Sequence, residues 1–174
     1  EGGPYDFGRN NWLHATDHAG IAITAQSDNG YVDDAGTELY KASGKWRVDL
    51  SEQWQLTHNL SAVHLEQKSL AYLVGENSYR DNHRRRDNSA PDAFRDLDAW
   101  RYSAKFLRTQ DNRQTEITPY WRRSTMHFSQ HFLFPASTEK NGQHSGGVFT
   151  QHTEQTDFGQ WQLGAQIEQA STYL

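Results

Sequence analysis

The chain has 174 residues, the length of one ordinary domain, and only 34 % of them are hydrophobic. A net charge of -5 and a pI near 6.0 argue against a general nucleic-acid binder. The absence of cysteine excludes both a disulfide framework and a thiolate metal site. No run approaches the roughly 20 apolar residues of a membrane helix, and mean hydropathy is -0.96. Those values do not exclude membrane strands, which hide half their residues behind polar ones. Six Trp and eight Tyr are many for so polar a chain. The first residue is Glu1, with no Met or signal peptide, so the chain is expected to be a piece of a longer protein.

Pro4 to Ala15 reads as a first strand, and Thr16 to Gly20 (TDHAG) as a turn. Ile21, Ile23 and Ala25 alternate with Ala22, Thr24 and Gln26 in a second strand. Asp28 to Glu38 is rich in Asp, Asn and Gly and reads as a connection of moderate length. From Tyr40 to Leu56 the even positions are apolar except Glu52, and the odd positions are wholly polar. Period two predicts one long strand with an apolar and a wet face. Tyr40 and Trp54 near its ends match a strand crossing a bilayer, with the even positions outward and Lys41 to Gln55 lining a lumen.

Thr57 to Asn59 is expected to turn this strand into the next, Leu60 to Ser69. Leu70 to Asp98 has no sustained period and reads as the longest loop. Trp100, Tyr102, Ala104 and Phe106 then alternate with polar residues, and Gln110 to Gln114 turns the chain again. Thr115 to Phe132 is a long strand in which Pro119 and the Arg122-Arg123 pair suggest a bulge or phase slip. A loop from Phe134 to His144, a strand from Gly146 to Thr156, a turn from Asp157 to Gln160 and a strand from Trp161 onward complete the series.

About eight neighbouring strands result, an all-β chain expected to be an antiparallel up-and-down transmembrane β-barrel, here a partial barrel wall. Short connections alternate with longer ones, as periplasmic turns alternate with extracellular loops in outer-membrane barrels. On that polarity Glu1 begins outside the cell, and strands are expected both before and after the chain. The two edges and the apolar face would leave such a piece unstable alone.

The order of these features resembles the TonB-dependent outer-membrane receptors, in the early barrel region after the plug. It is carried by GGPYDFGRNNWLH (Gly2 to His14), NGYVDD (Asn29 to Asp34), KASGKWRVDLSEQWQLTHNLSAVHLEQ (Lys41 to Gln67), and YLVGENSYRDNHRRRDN followed by FRDLDAWRYSAKF, and spans essentially the whole chain. The resemblance implies a barrel of about 22 strands around a plug, taking up ferric siderophores or a similar scarce nutrient. Energy would come through the TonB protein, in the outer membrane of a Gram-negative bacterium. Residues 1–174 would then be a partial barrel domain, without plug, TonB box or C-terminal strands. The family's ligand residues follow no transferable motif, so none is carried over.

The residues themselves suggest one site. Tyr79, Arg80, His83, Arg84, Arg85, Arg86 and Arg95 lie in or beside the longest loop, near Tyr72 and Phe94. Guanidinium groups bind carboxylates or catecholates bidentately, and aromatic rings stack on flat chelates. The alternative is a solvated loop whose arginines pair with Asp81, Asp87 and Asp92 or with lipopolysaccharide phosphates. Tyr40, Trp54, Trp100, Trp121 and Trp161 are the expected interface aromatics, near strand ends and against outer-membrane lipid.

Nine histidines invite a metal reading. His127 and His131 should share a strand face but stand about 13 Å apart, too far to chelate one ion unaided. His14, His18, His58 and His64 read as lumen or interface residues, so no metal or cofactor is expected. No GxSxG, HExxH or phosphate loop appears, and no enzyme activity is expected. Two other readings stay open: another outer-membrane barrel (a porin-like channel or a small closed barrel), and a soluble β-sandwich that binds a partner.

Overall fold

The computed structural model describes residues 1–133 and 135–174. Eight strands follow one another: β1 (Gly8–Ala15), β2 (Ala19–Asp28), β3 (Thr37–Asp49), β4 (Trp54–Lys68), β5 (Phe94–Gln110), β6 (Arg113–Gln130), β7 (Ser137–Thr156) and β8 (Gly159–Tyr173). They form one antiparallel sheet in sequence order, with β1 and β8 as unpaired edges. The sheet is therefore open. The only described helix is a 3-10 turn at Ser78–Arg80, and no helix is long and apolar enough to cross a membrane. The connections 16–18, 50–53, 111–112 and 157–158 are short and lie at one end; 29–36, 69–93 and 131–136 lie at the other.

Pairing fixes which residues share a face, because directly opposed residues in an antiparallel ladder point the same way. One face carries Ile23, Ala42, Ala62 and Trp100 in one row and Trp46, His58 and Ala104 in another. The other carries Thr24, Lys41, Ser43, Ser61, Arg101 and Arg122. The expected even-odd division of the opening stretch thus holds, with Trp46 on the apolar face and Arg47 on the polar one. Among the described residues no second layer covers the apolar face. Among the described residues only Ala35, Ala93 and Ala104 are buried apolar side chains, while Leu163 and Ile167 stand 69 % and 75 % exposed. A sandwich packs two apolar faces against each other; this chain has one sheet.

Several expected boundaries are wrong. The first strand starts at Gly8, because Tyr5 and Asp6 adopt positive φ in a turn closed by Phe7 N–H donating to Pro4 O at 3.2 Å. The stretch from Tyr40 to Leu56 is not one strand but β3, a turn and the start of β4, and Thr57 to Asn59 lies inside β4. Ser51 Oγ accepts from the Gln53 and Trp54 amides, and Leu50 N–H donates to Trp54 O at 2.8 Å. This turn leaves the parity of the alternation intact, since Val48 pairs with Leu56, so a period count runs straight through it. Glu52 consequently sits in the turn and not on a strand face.

The longest loop ends at Ala93, and Phe94 to Asp98 already belong to β5. Strand β6 has no phase slip. Its register with β5 runs from Arg95–Phe128 to Gln110–Arg113, skips the pairs around Pro119, and resumes unshifted. The largest revision is β7, which begins at Ser137, so most of the expected Phe134–His144 loop is strand; Phe134 lies outside the described residues. Gly142 lies in that expected loop, and Gly146 and Gly147 at the start of the expected strand. Each is covered from a neighbouring strand, Gly142 by Tyr173, Gly146 by Trp121 and Gly147 by Tyr120. Cross-strand aromatics supply the packing a glycine lacks.

Candidate ligand-binding site

The long loop 69–93 is a folded lobe tied to its neighbour. Asn77 has φ 56° and leads into the 3-10 turn, where the buried Ser78 donates its hydroxyl to Val74 O at 2.8 Å. Gly75 has φ 115°, and a Cβ there would stand 2.5 Å from Ser78 Oγ, so only glycine fits. Arg84 donates to Val74 O at 2.8 Å and lies 3.7 Å from Asp87. Arg86 pairs with Asp33 of the β2–β3 connection at 3.0 Å, and the Asp33 amide donates to Arg86 O at 2.8 Å.

The basic cluster therefore divides. Arg84 and Arg86 hold the loop together. Arg80, whose guanidinium lies 5.3 Å over the Tyr79 ring, and Arg85 have no carboxylate within ion-pair distance among the described residues. Of the acids expected to neutralise the loop, Asp87 pairs with an arginine, and Asp81 instead accepts the His83 amide at 2.9 Å. Tyr72 and Tyr79 are exposed.

Arg95 stands apart from this lobe. It lies on the polar face of β5, at the rim of a hollow of about 540 Å³ at the long-loop end. Tyr31, Lys68, Phe128, His131 and Phe132 also line it. Tyr31 meets the Tyr5 ring edge-on at 5.5 Å, and His131 meets Phe132 at 5.8 Å with its Nδ1 buried and without a partner. Cations and aromatic faces around one hollow suit an anionic or aromatic solute. Of the residues expected around the cluster, Arg95 and Phe94 line this hollow, and the Phe94 ring also meets His127 edge-on at 4.8 Å. Tyr31, Lys68 and His131 were missed. Their one signal was position at the long-loop end: Lys68 ends β4, and Tyr31 and His131 lie just beyond β2 and β6.

The five expected interface aromatics share the apolar face. Tyr40 sits toward the long-loop end of β3, and Trp54 and Trp161 at the short-turn ends of β4 and β8. Trp100 and Trp121 are not at strand ends but midway along β5 and β6, with rings tilted 59° to each other. They nevertheless bound the apolar run. Beyond them the same face carries Asp98 and Asp96 on β5 and Arg123 and His127 on β6, because these strands continue past the apolar belt.

The histidines follow the same division. His131 lies just beyond β6 and not on a strand face with His127, and the described residues hold no cluster of three metal-ligating side chains. His58 is on the apolar face, stacked 4.5 Å from Trp46, with Nδ1 2.7 Å from the Tyr102 hydroxyl. His64 lies beyond the belt, its Nδ1 2.7 Å from Asp98 and its Nε2 3.3 Å from Glu66. The hydrogen bond to Asp98 raises its pKa above the usual imidazole value; desolvation opposes this and Glu66 adds to it.

Neither a protein-family model nor a curated protein matches this chain.

Proposed function

We propose that the chain is part of the wall of an outer-membrane β-barrel receptor of the TonB-dependent type, which imports ferric siderophores or a similarly scarce nutrient. One observation carries the reading. A single eight-stranded sheet leaves its whole apolar face uncovered while every long connection lies at one end. An uncovered apolar face of this kind suits lipid, and an open sheet with polar residues on its other face suits the lumen side of a larger barrel.

In this reading the apolar belt meets outer-membrane lipid, and the charged strand extensions meet lipopolysaccharide head groups. The polar face lines the water-filled lumen around a plug that engages TonB. The solute is met first by Arg80, His83 and Arg85 with Tyr79, then by Arg95, His131 and the rings of the hollow. Arg84 and Arg86 shape the loop. Cells expressing the full gene under iron limitation should accumulate radiolabelled ferric siderophore, and a protonophore should abolish the uptake. Accumulation that ignores the protonophore would indicate a passive porin-like channel instead.

A further inference from the structure

The polar face is charged very unevenly. On β3, β4 and β5 it carries six cations, Lys41, Lys45, Arg47, Arg95, Arg101 and Lys105, against one carboxylate, Asp49, in a chain of net charge -5. The cations form two rails, on β3 and on β5. Strand β4 between them presents only neutral side chains to this face, among them Thr57, Asn59 and Ser61. Lys105 is neutralised by Glu116 at 2.5 Å, and Arg47 lies 4.0 Å from Asp49. Lys45 and Arg101 are exposed, and neither has an ion-pair or hydrogen-bond partner in its side chain among the described residues.

Between the rails a groove of about 600 Å³ crosses the strands. One bank holds Ser43, Ser61, Arg101 and Arg122; the other holds Lys45, Asn59, Ser103 and Tyr120. Lys45 and Arg101 thus face each other diagonally over small hydroxyl and amide side chains. Two strand spacings and two residues of rise put their Cα atoms about 12 Å apart, within joint reach of one small solute. Arg101 also sits directly opposite Arg122, a like-charge pair that is unfavourable without a counter-ion. Arg122 has its own, Glu168 Oε1 at 2.5 Å, and donates through Nε to Ser145 Oγ at 2.7 Å. Arg101 has none.

We infer that this groove is a binding site for a small polyanion, a polycarboxylate or a phosphate ester, held between Lys45 and Arg101 over Asn59, Ser61 and Ser103. The site goes beyond the transport reading, since it requires only that the polar face be reachable from water.

Calorimetric titration of the protein expressed from the full gene, in zwitterionic detergent at low ionic strength, tests it with citrate and with pyrophosphate as probes. Saturable binding of at least one probe is expected, and the tighter of the two identifies the head group. K45Q/R101Q should weaken it at least tenfold. K140Q, which removes one charge from the opposite face, should leave it within twofold, and 0.5 M salt should weaken it strongly, as roughly a 10 Å Debye length at 0.1 M implies. Retained heat-modifiable mobility on a gel checks that each variant is folded. Absence of saturable binding by the unaltered protein, or equal loss in K140Q, overturns the site. So does binding of an acidic peptide with neither small anion.

Discussion

The Tyr120 hydroxyl donates to Glu168 Oε2 at 2.7 Å by passing over Gly147, which stands between them in the same row. Gln166 Nε2 donates to the same hydroxyl at 2.7 Å, and Arg122 reaches the other Glu168 oxygen. Three strands are tied together across one bare backbone position. A Cβ at Gly147 would stand 2.4 Å from Ile167 O and 2.7 Å from the Tyr120 hydroxyl. Gly147→Val should therefore destabilise the sheet by about 2 kcal/mol or more, read as a lower urea midpoint in detergent. Gly8→Val, where the nearest atom is 3.9 Å away, should change it little.

The two faces should answer oppositely to charge. Val148 lies mid-belt on the apolar face of β7, and Gln151 on the polar face of the same strand. In bilayers Val148→Arg should cost roughly 2–4 kcal/mol, and Gln151→Arg about 1 kcal/mol or less. Equilibrium unfolding in lipid vesicles reads both values. Equal costs would mean that the apolar face does not meet lipid.

The loop lobe should loosen as a unit. Arg86→Ala and Asp33→Ala both break the tie between the two longest connections. Hydrogen exchange should rise in residues 69–93 and 29–36 in either variant, and the double variant should add nothing further. Global stability should move by less than about 1 kcal/mol, since the pair is exposed.

His64 supplies a pH readout beyond the belt. Its pKa is raised, so the imidazolium's pairing with Asp98 and Glu66 contributes fully below the unfolded imidazole value. That contribution is lost as pH rises through the folded pKa. Asp98→Asn should lower the His64 titration midpoint measured by NMR, and Glu66→Gln should lower it less. An unchanged midpoint in Asp98→Asn would mean the contact does not persist in solution.

Alternation along each strand was legible because it is a property of single residues in order. The division of Trp46 from Arg47, or of Trp100 from Arg101, needed nothing else. Where one strand stops was not legible at 50–53, since a turn that preserves parity leaves no break in the period. The start of β7 looked like loop because the ring that covers Gly142, Tyr173, comes from another strand. Trp100 and Trp121 were placed at strand ends because the apolar run ends there, although the hydrogen bonding does not. At the site, arginine content was legible but partners were not. That Arg86 is occupied by Asp33 depends on two loops meeting, and that Lys45 faces Arg101 depends on the register of three strands.

Each strand pairs its backbone only with its sequence neighbours, through seven antiparallel registers. Such a sheet is nearly one-dimensional, like a stack of repeats: its free energy is largely a sum of adjacent pairings, with side-chain ties such as Tyr120–Glu168 reaching one strand further. Order can then spread strand by strand from any formed hairpin. Loss of β8 would leave the β1–β6 ladders as they were and expose β7 as the new edge. The wall has no keystone; damage shortens it from the edge without dissolving its middle.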